Sequence, residues 1–179
     1  MGEIIELSVA SVDRTVYVDF LNFMRKNTNI ISDEHEILRI DDWNYSNETR
    51  LNKFSEIENW IDTKIISVTE KNDIGSIGLY IEKVGEFFFY DIWFNPQNVI
   101  TEVQYMNFKE KAVSFLKSIK LDVACVGREM SIDYSKGYKK AIEVGRGIDI
   151  VLVSNAVEKE YYISKIVNQK KVKPDFEVI

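Results

Sequence analysis

Asp91 is the residue of this chain whose setting most invites chemistry. It stands inside the densest aromatic run, Val84 to Pro96 (VGEFFFYDIWFNP), where Phe87, Phe88, Phe89, Tyr90, Ile92, Trp93 and Phe94 fall within eight positions. A carboxylate on such a surface is costly unless it is solvated, hydrogen-bonded or paired. Its bland roles are a solvated edge position or a partner on a neighbouring strand. Its chemical role is a partner-contacting or catalytic carboxylate, beside Trp93, in a pocket without a motif. No second carboxylate can be placed opposite it from sequence, so no acid–base pair and no catalytic residue is assigned.

The other reactive side chains are few. His35 is the single histidine and Cys125 the single cysteine, so a histidine-based zinc site is excluded and no metal ligands are assigned. A Cys125–His35 dyad is open to any sequence spacing, but Cys125 lies between Ala124 and Val126 in an apolar run, where a thiol is ordinarily inert core. No G-x-S-x-G elbow supports a serine triad. No P-loop is present. Gly145-Arg146-Gly147 follows a helix and precedes a strand, the reverse of a dinucleotide fingerprint, and reads as a helix stop and turn. No cofactor is implied. Arg128 and Arg146 are scattered candidates for anion contact.

Residues 27 to 54 are polar and irregular, and offer a different chemistry. Asp33, Glu34, Glu36, Asp41 and Asp42 surround Trp43 and Tyr45. Aromatic rings flanked by acids provide anchoring area and charge complementarity for a basic protein partner. The competing reading is a solvated loop with its tryptophan tucked into the core.

These residues must be positioned by regular elements. Aromatic and β-branched side chains make Phe87 to Phe94 a strand. Phe88, Tyr90, Ile92 and Phe94 share one face, and Phe87, Phe89, Asp91 and Trp93 the other. Both faces are apolar, so the strand is expected at the centre of a sheet with a layer on each side. Residues 3 to 10 read as a strand. Val16, Phe20, Phe23 and Met24 mark a helical face, with Ser11 or Asp13 as cap. Ile37, Leu38 and Ile40 form a strand or loop anchor. Ser55-Glu56-Ile57-Glu58 has the form of a capping box before a short helix. Ile65 to Thr69, Ser76 to Lys83 and the aromatic strand make an antiparallel meander. Thr101-Glu102-Val103-Gln104 is a second capping box, opening a helix to Ile119. Leu121 to Val126 and Ile148 to Ser154 read as strands, flanking a helix through Tyr134, Tyr138, Ala141 and Ile142 that is capped by Asp133 and Gly145. Tyr161 to Val167 reads as a last strand, and 168–179 as a tail along an edge.

The 179 residues, 45% hydrophobic, with 2 Pro and 8 Gly and no evident linker, suit one domain over 1–179. A formal net charge of -6 argues against nucleic-acid binding. No apolar run is long enough to span a membrane. The start, MGEIIELSVAS, lacks the features of a signal peptide, and a lone cysteine fits a reducing compartment, so a cytoplasmic location is expected.

A strand meander ending in Tyr90 to Pro96 (YDIWFNP), an amphipathic helix after it, an acidic balance and no catalytic signature together resemble the bacterial cytoplasmic immunity proteins of polymorphic and contact-dependent toxin systems. That resemblance spans Trp60 to Ile119 in general character. It implies a single-domain, non-enzymatic protein that binds a toxin domain and occludes its active site. The expectation is therefore an α+β fold, with a mostly antiparallel central sheet of five to seven strands and three or four packed helices. The leading function is toxin neutralisation through Asp33, Glu34, Glu36, Asp41, Asp42, Trp43 and Tyr45, against a basic, nuclease-like partner. The alternatives are a motif-free enzyme or small-ligand-binding domain with a pocket near Asp91 and Trp93, and a structural or oligomerising subunit.

Overall fold

Alternation along the aromatic strand sorts its rings onto two faces, and both are covered. The computed structural model describes residues 3–30, 35–166 and 174–179. The aromatic stretch is strand β6 (Phe87–Pro96), and its neighbours are β1 (Ile5–Ser11) and β5 (Gly75–Val84). Outward from β5 come β4 (Ile65–Asn72), β2 (His35–Ile40) and β3 (Thr49–Leu51). Outward from β1 come β7 (Val123–Ser131), β8 (Arg146–Val153) and β9 (Asp175–Val178). The nine-stranded order β3-β2-β4-β5-β6-β1-β7-β8-β9 puts β6 in the middle. Every pairing is antiparallel except β8 with β9.

The fold is α+β, with more strands than the five to seven expected. The extra ones are the short pieces: β3 has three residues and β9 four, too few for a periodic pattern to register.

Helices α1 (Tyr17–Thr28) and α2 (Glu102–Leu116) cover one face. Phe20 and Phe23 of α1 meet Phe115 of α2 and Tyr90 of β6, with Phe23 and Phe115 stacked at 4.4 Å. The Thr101 capping box forms as the sequence predicts, its hydroxyl accepting from the Gln104 amide and the Gln104 side chain accepting from the Thr101 amide. The opposite face is covered by α3 (Tyr138–Val144) and α4 (Ala156–Ile166), which bury Ala141, Ile142, Tyr162 and Ile166 against β6, β1, β7 and β8.

Several local expectations are corrected. Tyr161 to Ile166 is helical, not a strand: Asn155 caps α4 through the Glu158 amide, and Tyr162 and Ile166 are buried one helical turn apart. Val167, like the tail lysines Lys170, Lys171 and Lys173, lies outside the described residues. The Ser55 box does not form, because Phe54–Asn59 is a 3-10 segment; Glu58 instead takes the Tyr17 hydroxyl at 2.9 Å and pairs with Arg14 at 2.9 Å. Asp13 does not cap α1 and closes a local turn onto Thr15. The Tyr134 helix is split at Gly137, whose φ of +83° interrupts it. Gly145 ends α3 in an extended conformation, and Gly147 is the residue with positive φ (+70°), where a Cβ would sit 2.3 Å from the Arg128 carbonyl.

Candidate functional site

The second face of the sheet is polar at its centre. Three registered rows cross it. Tyr80, Asp91, Ser8 and Cys125 form one row; Gly78, Trp93 and Glu6 form the next; Glu82, Phe89 and Ala10 form the third. Side chains directly opposite one another on antiparallel strands lie about 5 Å apart, so the register alone gathers Asp91, Glu6 and the rings of Tyr80 and Trp93.

The covering layer stops short of this patch. The residues that follow β7, Ile132 to Tyr134, wall one side, and Trp43 walls the other. Between them lies a cavity of about 290 Å³ lined by Glu6, Ser8, Tyr80, Glu82, Asp91 and Trp93. That is at the lower end of small-molecule sites, roughly 300 to 1,000 Å³.

Asp91 is held by a short chain of hydroxyls. Ser8, which is buried, donates to Asp91, and the buried Tyr134 phenol shares a hydrogen bond with Ser8. Since the single serine proton goes to the carboxylate, the phenol is the donor of the second bond. Phe89 stacks on Tyr134 at 4.0 Å and fixes its ring. Burial pushes the Asp91 carboxyl up to about 6, against the lowering effect of the Ser8 bond and with a further rise from Glu82. Burial likewise pushes Glu6 up to about 7, although its carboxylate accepts the Met130 amide; Asp91 and Glu129 add to the rise. Glu82 is also raised, by burial first, while the Trp43 indole that donates to it at 3.1 Å pulls the other way.

Trp93 lies flat on the sheet because Gly78 opposite it has no side chain: a Cβ there would fall 2.1 Å from the indole. The indole thus occupies the space a side chain at 78 would take, and it lines the cavity.

From His35 to Leu51, the acidic stretch read from the sequence as a partner surface is a β2–β3 hairpin. Asp41 pairs with Lys64 at 2.7 Å and accepts the Asn47 side-chain amide. Asp42 accepts the Asn44 amide at 2.8 Å and the Ser46 amide. Both carboxyls are held below their usual range, chiefly by the Lys64 bond for Asp41 and the Asn44 amide for Asp42. Glu36 is exposed on β2. Asp33 and Glu34 lie outside the described residues. Trp43 and Tyr45 lean onto the sheet face beside Asp91: Trp43 meets Tyr80 edge-on at 5.3 Å, and the Tyr45 and Tyr80 hydroxyls are 2.7 Å apart. The structure thus joins Trp43 to the Asp91–Trp93 pocket, two features that sequence reading kept apart.

Glu6, Ser8, Tyr80, Glu82 and Tyr134 were missed. Glu6 and Ser8 left a signal, two polar residues alternating with apolar ones in β1, but what they face depends on register. The other candidates are not assembled. Arg128 is engaged by Glu102 at 2.9 Å and Glu3 at 3.2 Å, and Arg146 is exposed. Cys125 is buried under α4, and His35 on β2 is five strands away, roughly 24 Å at standard strand spacing, so the two form no dyad. Among the described residues no group of three or more His, Cys, Asp or Glu side chains could hold a metal ion, and no helix is long and apolar enough to cross a membrane.

Comparison of the chain with family models, with curated proteins and with solved structures finds no match to any of them.

Proposed function

We propose that this protein is a ligand-binding domain whose site is the Asp91 pocket. One observation carries the reading: an aromatic-walled cavity in which Glu6, Glu82 and Asp91 converge from three adjacent strands. A sheet is a rigid platform, and polar groups converging in an otherwise apolar recess are the usual signature of a small-molecule site. The test is a thermal-shift panel of neutral, anionic and cationic small molecules, run on the wild type and on Asp91→Asn and Trp93→Ala. A ligand that binds only the folded state raises its melting temperature. A compound that stabilises the wild type and neither variant supports the reading. A panel without any stabilising compound counts against it.

A second reading, neutralisation of a basic toxin domain as in immunity proteins, is favoured by the exposed rings on the acidic hairpin. Trp43 is 47% and Tyr45 41% exposed, and the chain carries a net charge of -6. Because Asp41 and Asp42 also hold the hairpin together, the cleaner test is the double change Glu36→Lys and Glu48→Lys. Under this reading it weakens capture of a basic partner at low salt and flattens the salt dependence; unchanged capture would discard it.

A further inference from the structure

The pocket is specific in sign. Among the described residues, its charged lining consists of Glu6, Glu82, Asp91 and Asp133, with no lysine, arginine or histidine. The charges acting on the carboxylates come from one another and from Glu129 and Asp133. Asp91 spends one oxygen on Ser8, and its other oxygen accepts no hydrogen bond among the described residues. Carboxylates removed from water without a counter-charge are costly. A neutral or anionic guest would leave that cost in place, whereas a cation would remove it.

The walls fit the same guest. Trp93 packs over Gly78 and lines the cavity beside Glu6 and Asp91. Trp43 and Tyr80 stand at 70° to each other, so they form a corner rather than a stack. Ring faces meeting at an angle beside carboxylates are the arrangement that recognises alkylammonium groups. A bare divalent ion is a poor alternative: calcium and magnesium take six or more oxygen ligands, and among the described residues no group of three or more His, Cys, Asp or Glu side chains could hold a metal ion.

Resting on the pocket reading above, we propose that the ligand is a small organic cation, an alkylamine or quaternary ammonium compound, seated on Trp43, Tyr80 and Trp93 with its charge against Asp91 and Glu6. Binding is then coupled to proton release. Without a guest, Glu6 and Asp91 titrate near pH 7 and 6, and a cation favours their ionised forms. Among the described residues, every other titratable group facing them is acidic or phenolic: Glu82 from β5, Glu129 and Asp133 from the end of β7 and the segment after it, and Tyr80 and Tyr134. None of these reverses the sign. Affinity for the cation therefore falls as pH falls through 7 and 6.

The experiment titrates the full chain with choline, n-butylamine and 3,3-dimethylbutan-1-ol, the neutral isostere of choline, by calorimetry and tryptophan fluorescence at pH 8.0 and 5.5. Two of the three tryptophans line the pocket, so fluorescence reports on it. The expected result is binding of at least one cation at pH 8.0, weakened about tenfold at pH 5.5, with the isostere silent. Asp91→Asn keeps an acceptor for Ser8, and Trp43→Phe keeps a ring; each is expected to lower cation affinity, with urea unfolding as the control for an intact fold. Should Asp91→Asn fail to fold, Glu6→Gln, which keeps an acceptor for the Met130 amide, replaces it. Equal binding of choline and its isostere, lost on Trp43→Ala, would overturn the cation inference while leaving the pocket as the site. Absence of binding by both cations would overturn it too, and the neutral and anionic arms of the thermal-shift panel then decide separately whether the pocket binds anything.

Discussion

At the scale of residues, the molecule carries two kinds of carboxylate. Glu70 is of the first kind. It is 2% exposed and meets Arg25 through two hydrogen bonds, one of 2.9 Å to the guanidinium Nε. Glu70→Gln should lower unfolding stability by about 2 kcal/mol, less than for a fully buried pair because Arg25 keeps partial access to water; urea denaturation measures it. Glu6 is of the second kind, half-buried with no counter-charge among the described residues, and its folded-state pKa is raised to about 7. Such a group favours the fold when protonated, and that contribution is lost as pH rises through 7. Glu6→Gln, which retains an acceptor for the Met130 amide, should therefore stabilise the protein at pH 8 by about 1 kcal/mol, after discounting for partial solvent screening. The gain should vanish at pH 5. A variant less stable than wild type at pH 8 would show that Glu6 is supported there by a cation.

At the scale of elements, the pocket depends on two supports outside it. Gly78 on β5 lets the Trp93 indole lie down. Gly78→Ala should lift that ring into the cavity, shift the tryptophan emission, and lower ligand-induced stabilisation more than it lowers stability itself. The β2–β3 hairpin carries Trp43, and it is pinned by the Asp42 bonds to the Asn44 and Ser46 amides. Asp42→Ala should lower stability slightly, as loss of an exposed local side-chain-to-backbone bond does, and should raise amide hydrogen exchange between residues 41 and 48. Unchanged exchange there would mean that the hairpin is held chiefly by its aromatic contacts with Tyr80.

At the scale of the whole molecule, the two kinds of carboxylate give stability an unusual pH profile. Glu6 and Asp91 have pKa values raised to about 7 and about 6, so their contribution is lost as pH rises through those values, and Glu82, raised by burial, acts in the same direction. Asp13, Asp41, Asp42, Asp62, Asp133 and Glu143 have lowered values, so their contribution is present above the ordinary carboxylate range and lost as pH falls below it. Stability without ligand should peak near pH 5 and decline on both sides, as read by melting temperature. A saturating organic cation should flatten the alkaline side, because it compensates the charges that form there.

What the sequence by itself determined is the layered core. Two-residue alternation in Phe87 to Phe94 placed Tyr90 and Ile92 on one face and Phe89 and Asp91 on the other, and helical spacing in α1 and α2 supplied the cover for the first. These patterns are local consequences of backbone geometry, so they are legible without a fold. The short edges β3 and β9 and the helical state of Tyr161 to Ile166 were not legible, because few residues carry them and burial against distant strands decides them. The pocket was half legible: Asp91 and Trp93 were singled out, and Trp43 was noticed for a different reason. Only the tertiary structure brought Glu6, Ser8, Glu82 and Tyr134 to Asp91. Strand register sets which polar residues stand opposite each other, and register is fixed by pairings between segments far apart in the chain, such as Ser8 with Asp91 and Ser8 with Cys125. The structure also turned the acidic loop into a wall of the site. Its acids satisfy the hairpin's own backbone and Lys64, and its tryptophan reaches Glu82 across the sheet.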